Sequence, residues 1–144
     1  MTRLVTAALL VAAFASTPAL AKDINVKMLT SGLGGAMVFD PPFVKANVGD
    51  TVHFLASPSH NAELIAGMVP AGVPLSGGKM NQGFDLKLTA PGVYGIKCKP
   101  HYAMGMVALI QAGSGPSRNL PAARTVALPG LAAKRMAPLL ARAR

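Results

Sequence analysis

The sequence predicts an all-β domain, a sandwich or barrel of antiparallel strands, followed by a short helical tail. Three observations carry that expectation. Apolar and polar residues alternate with period two through several short segments, the pattern of a strand buried on one face. Turn-forming residues separate those segments at short intervals, as they do between the strands of a sandwich. After the linker Gly113-Ser114-Gly115-Pro116, Asn119 to Arg144 is rich in Ala, Leu and Arg, where one or two short helices are expected.

The chain of 144 residues opens on a stretch with the marks of an export leader. Arg3 gives a positive start, Leu4 to Phe14 is almost wholly apolar, and Ala19-Leu20-Ala21 has the small-x-small pattern of a signal-peptidase site. A membrane anchor is the competing reading. The apolar run is well short of the roughly 20 residues that span a bilayer, and Pro18 follows closely, so no anchor is expected. Residues 1–21 are expected to be removed as a signal peptide. Residues 22–113 then form the sandwich domain and residues 114–144 the helical extension. The remaining 123 residues from Lys22 suffice for one compact core.

Along that chain, Ile24, Val26 and Met28 alternate with Asn25 and Lys27, a half-buried strand. Met37-Val38-Phe39 runs into Asp40-Pro41-Pro42, a turn cluster that interrupts pairing. Phe43 to Ala46 leads to the turn Asn47-Val48-Gly49-Asp50, and Thr51 to Leu55 resumes a strand. Phe84, Leu86 and Leu88 alternate with Asp85 and Lys87. Pro91-Gly92 turns the chain into Val93 to Cys98, and Val107 to Gln111 closes the series. In the tail, Leu131, Leu139 and Leu140 are the expected packing positions, and Pro121, Pro129 and Pro138 limit each helix to a few turns. Helices this short are marginal alone and need a surface to dock on.

Without the leader the chain has 13 basic and 5 acidic residues, a net charge of +8. There is no basic stripe with interleaved aromatics and no recognition-helix signature, so nucleic acid is not expected; acidic proteins suit the charge better. In an oxidising compartment the lone Cys98 has no partner for an internal disulfide. It is either a small buried hydrophobe or a thiolate committed to a metal, and its neighbours must decide.

Those neighbours are Cys98-Lys99-Pro100-His101-Tyr102-Ala103-Met104-Gly105-Met106. A thiolate, an imidazole and thioethers fall in one loop between two expected strands, a soft or borderline donor set that favours copper or zinc over calcium or magnesium. A second imidazole must come from elsewhere. Alternation puts His53 on the face opposite Val52 and Phe54, whereas His60 lies where a strand gives way to a loop and is preferred. Two His, one Cys and a weak axial Met describe a blue-copper electron-transfer site. Spacing leaves Met104 and Met106 both open as the axial donor.

Gly34-Gly35-Ala36-Met37-Val38-Phe39, Val48-Gly49-Asp50-Thr51-Val52, His60-Asn61, Thr89-Ala90-Pro91-Gly92-Val93-Tyr94-Gly95 and the Cys98 to Met106 loop together resemble the pseudoazurins, small periplasmic cupredoxins. The likeness covers most of Asp23 to Gly113 and fades in the tail. It implies a Greek-key β-sandwich with C-terminal helices, normally monomeric, holding one type 1 copper ion that cycles between Cu(I) and Cu(II). It assigns the axial thioether to Met106, so the implied ligands are His60, Cys98, His101 and Met106. It also implies that Asn61 ties the two ligand loops together and that Met37 packs on the exposed ligand histidine. The implied partners are a cytochrome-type donor and a copper nitrite reductase or similar periplasmic reductase, as in denitrification. Family lysines surround the docking patch; this sequence keeps Lys97 and adds Lys99, but has Ser31, Pro58 and Gly77 at other such positions. If the arginine-rich tail packs away from the copper, steering is weaker than the net charge suggests.

Three classes of function compete. A soluble electron shuttle needs only the set just named. A copper enzyme of this superfamily needs histidines for a second centre, and only His53 is left over. A copper carrier would favour exposed Met or Cys pairs, and a structural zinc site would rarely take a thioether. The shuttle is the expected function, and no catalysis is expected.

Overall fold

The structure is a computed structural model and describes residues 20–144. The expected leader lies almost wholly outside the described residues. Eight strands follow: β1 (Asp23–Gly32), β2 (Gly35–Asp40), β3 (Phe43–Ala46), β4 (Thr51–Phe54), β5 (Glu63–Leu64), β6 (Phe84–Lys87), β7 (Gly92–Lys97) and β8 (Val107–Ala112). They form two four-stranded sheets in the orders β2-β1-β4-β6 and β3-β8-β7-β5. The expected sandwich is present, with one correction. Two of its pairings, β1 with β4 and β3 with β8, are parallel rather than antiparallel. The chain crosses between the sheets at Asp40-Pro41-Pro42 and again after Ala46, so these neighbours are joined by crossovers rather than hairpins.

Register explains the core. Val26 pairs with Phe54 and Phe54 with Phe84, so alternate side chains of three strands stand in one inward row. Phe54 meets Phe39 edge to face at 5.6 Å between ring centres and stacks on Phe84 at 6.1 Å. Tyr94, Ile96, Ala108 and Ile110 supply the opposite wall from β7 and β8.

Those two strands are buried on both faces, which conceals their alternation. Their outer faces are covered by the tail. Helices α1 (Leu120–Ala123) and α2 (Leu131–Arg142) form a second core, in which Leu120, Ala132, Met136, Leu139 and Leu140 meet Val93, Val107 and Leu109. Pro121 stands in the first turn of α1, where its missing N–H costs nothing. Pro138 lies inside α2 without ending it. Leu139 and Leu140 pack as expected, but Leu131 does not: it is 50% exposed. The buried stripe is Ala132, Met136, Leu139, Leu140 and Ala143, at helical spacing, and Leu131 falls off it.

Two polar clusters hold the first sheet, one where β1 and β4 begin and one on its outer face. The buried carboxylate of Asp50 accepts the backbone N–H of Asn47 at 2.7 Å and of Lys22 at 2.8 Å. These bonds, Asn47 first, hold its pKa below the usual carboxylate value. His53 faces outward, as alternation predicts. Its Nδ1 lies 2.7 Å from Asp85 and its Nε2 3.0 Å from Asp23, one carboxylate from each neighbouring strand.

Candidate metal centre

Cys98 is the first residue after β7, and Met106 the last before β8. The Cys98 N–H donates to the Met106 carbonyl at 3.0 Å, so the strand pair continues up to the mouth of the loop. Within the loop, the N–H groups of Met104 and Met106 both donate to the His101 carbonyl, at 3.1 and 3.2 Å. The chain thereby folds back on itself between His101 and Met106, and Gly105, at φ +86°, takes the left-handed conformation that closes the turn.

His60 arrives from the loop after β4. Two bonds to one residue fix it: Asn81 Oδ1 accepts the Ser59 N–H at 2.6 Å, and the Asn81 N–H donates to the His60 carbonyl at 2.9 Å. The imidazole is fully buried. Its Nε2 lies 3.1 Å from the Thr30 hydroxyl on β1, which leaves Nδ1 for the interior. That Nδ1 lies 3.2 Å from His101 Nδ1 and 3.8 Å from Cys98 Sγ, and His101 Nδ1 lies 3.5 Å from the same sulfur. Three donor atoms from two distant loops therefore converge at one point.

The other sequence-predicted residues fall around this point. Met106 is 0% exposed and shares an apolar cluster with Cys98, whereas Met104 is 46% exposed. Asn61 joins the two loops, its Oδ1 accepting the Lys99 N–H at 2.8 Å while its amide nitrogen donates to Glu63 and to the Gly78 carbonyl. Met37 is half-buried against the main core, with φ +53°. Thr30 and Asn81 were not expected. Neither carries a sequence signal, since each meets His60 only through the fold.

The electrostatics suit a soft cation. Burial, and then the neighbouring His101, hold the His60 pKa below its ordinary value, so that imidazole is neutral with a free lone pair. Burial pushes the Cys98 thiol up, although the backbone N–H groups of Asn61 and His101 oppose this. A metal ion would displace that proton and be held by the resulting thiolate. Two imidazoles, a thiol without a disulfide partner and the absence of any carboxylate within the set fit copper and disfavour calcium or magnesium.

The surface lysines differ in state. Lys97 is paired with Glu63 at 3.3 Å and lies 5.0 Å from the Tyr102 ring centre, while Lys99 is exposed. The tail does not pack wholly away from the loop. The Leu131 N–H donates to the Ala103 carbonyl at 2.9 Å, and Arg135 reaches Gly105. Arg142 lies over the Phe43 ring, 4.4 Å from its centre.

Residues 26–113 match the family of copper binding proteins described as plastocyanin/azurin. A pseudoazurin of Methylorubrum extorquens is 46% identical over 140 residues, which cover 96% of this chain and 94% of that protein. A pseudoazurin of Paracoccus pantotrophus is 45% identical over 84% of this chain and 83% of its own. The crystal structure of pseudoazurin from Methylobacterium extorquens superposes with a TM-score of 0.79 at 45% identity, covering 83% of this chain and 98% of that one. That of Hyphomicrobium denitrificans gives 0.78 at 37%, covering 85% and 98%. The chain belongs to the plastocyanin/azurin family of copper-binding proteins, within it to the pseudoazurins, and is an electron-transfer copper protein rather than an enzyme.

Proposed function

We propose that this chain shuttles single electrons between redox proteins of the periplasm, with copper held by His60, Cys98, His101 and Met106. The observation that carries this reading is the convergence of His60 Nδ1, His101 Nδ1 and Cys98 Sγ. Bound copper supplies the one-electron couple. The protein's share is to keep the donors in place. Thr30 and Asn81 hold His60, and the Cys98 and Met106 backbones are tied to each other across the mouth of the loop. Donors fixed in this way move little on redox change, so the reorganisation barrier is small. His101 is only half-buried, which makes its ring the point of contact for a partner.

The small-x-small site at Ala19-Leu20-Ala21 and the pseudoazurin relatives support export to the periplasm. Among the described residues no helix is long and apolar enough to cross a membrane. The acceptor we favour is a copper nitrite reductase or similar reductase, and the donor a cytochrome-type protein, as in denitrification.

The test is direct. The mature protein given Cu(II) turns intensely blue or green and loses the colour reversibly on reduction, and Cys98→Ser abolishes it. A colourless Cu(II) protein, or colour surviving Cys98→Ser, overturns the ligand assignment. A reversible one-electron voltammogram then separates a shuttle from a copper store.

A further inference from the structure

Three backbone carbonyls from two separate segments meet one nitrogen of one tail residue. Arg135 Nη1, on α2, lies 2.9 Å from the Ala36 carbonyl, 2.8 Å from that of Met37 and 3.2 Å from that of Gly105. The first two lie on β2, and the third immediately precedes Met106. Successive carbonyls of an extended strand point to opposite sides. Those of Ala36 and Met37 reach one point because Met37 stands at φ +53°, a conformation that a side chain other than glycine's rarely adopts.

Contacts on the loop side are equally close. A Cβ on Gly105 would stand 2.7 Å from Arg135 Cδ and 3.1 Å from Leu131 Cβ. One turn earlier, Leu131 donates its N–H to the Ala103 carbonyl, and a Cβ on Gly130 would collide with that same carbonyl oxygen. The first turns of α2 thus lie directly against residues 103–105. Beside them is a cavity of about 560 Å³, lined in part by Leu33, Val38, Leu131 and Pro138. Arg135 also lines that cavity, so its hydrogen bonds bridge β2 and the loop beside open space.

The geometry points to Arg135 as a positioning residue for the copper site, acting on Met106 through the Gly105 carbonyl and on the Met37 segment at the same time. The peptide unit is planar, so a fixed Gly105 oxygen fixes the Met106 nitrogen and the Cα from which its side chain starts. The Met106 N–H in turn donates to the His101 carbonyl at 3.2 Å, which carries the constraint to the neighbouring ligand. The tail thereby helps set the reduction potential, through geometry rather than charge. This rests on the ligand reading above for Met106.

The test compares Arg135→Gln, Arg135→Lys and Leu120→Ala. Lysine keeps the charge, but its Nζ ends one bond short of Nη1, the single nitrogen that meets all three carbonyls, so it does not reach them together. Leu120→Ala loosens the second core from α1 without touching the loop. Both Arg135 variants are expected to alter the ratio of the visible bands of the Cu(II) protein and to lower its potential. A thioether held less firmly favours Cu(I) less, and a tenfold fall in the Cu(I)-to-Cu(II) affinity ratio is about 59 mV. In the apoprotein, the Met106 amide is expected to exchange its hydrogen at least about tenfold faster in both variants, a readout that needs no copper and separates failure of this inference from failure of the ligand reading. Leu120→Ala should leave band ratio, potential and Met106 exchange unchanged despite its loss of stability. A wild-type Arg135→Lys beside a shifted Arg135→Gln would reduce the effect to charge and overturn the proposal. So would equal shifts in Leu120→Ala, or no change in any variant.

Discussion

Met136→Ala measures how far the tail belongs to the fold. Met136 is fully buried in the second core, among residues of β7, β8 and both helices. Truncation removes three heavy-atom groups, each worth about 0.8 kcal/mol on transfer from water, or about 2.4 kcal/mol together. The cavity left behind adds to this and alanine's better helix propensity returns a few tenths, giving a net loss of about 3 kcal/mol. For a chain of this size that is a fall of about 12 °C in Tm. Urea unfolding of the apoprotein, followed by circular dichroism, should show a lower midpoint with an unchanged slope. Leu131→Ala, at the half-exposed position, should stay within about 0.5 kcal/mol of wild type. A loss below about 1 kcal/mol for Met136→Ala, or a separate early transition for the tail, would refute a shared core.

Three other outcomes follow from the geometry. The pKa of His53 is raised, first by Asp23 and then by Asp85, so the folded state holds that proton more tightly than the unfolded chain. Its contribution is therefore complete below about pH 6.5 and is lost as the pH rises through the folded pKa. The stability difference between wild type and His53→Gln should shrink over that rise, and a difference flat in pH would contradict it. Met104→Leu should leave the copper spectrum and potential unchanged, whereas Met106→Leu should alter both; voltammetry checks this. Lys97 is already paired with Glu63, so the electron-transfer rate with an acidic partner should fall only shallowly with salt. A steep slope that disappears on mutating Lys97 and Lys99 would count against that.

How much of this was legible depended on distance along the chain. Cys98, His101 and the two methionines lie in one loop, so their chemistry could be read locally. His60 could be chosen because alternation turned His53 away from the core, and the structure places His53 on that outer face. Thr30 and Asn81 reach His60 only through tertiary pairing and left no local trace. The unbroken burial of Val107–Ala112 reflects a cover supplied by residues more than a helix away. Leu131 was misplaced because residue type was read without helical phase: the stripe that packs runs through Ala132 and Met136. The parallel pairings were illegible because an alternating strand looks the same in either direction.

The bond from the Lys22 nitrogen to Asp50 has a bearing on maturation. In an uncut chain that nitrogen is an ordinary amide. Cutting after Ala21 makes it the α-ammonium of a new terminus, placed against a carboxylate that is buried and already charged. A hydrogen bond from a neutral donor to a carboxylate becomes an ion pair between two charged groups. Proteolysis and folding are then thermodynamically linked. If the leader is cut there, the precursor is the looser molecule, and cleavage tightens the start of β1 against that of β4, the two inner strands of the first sheet.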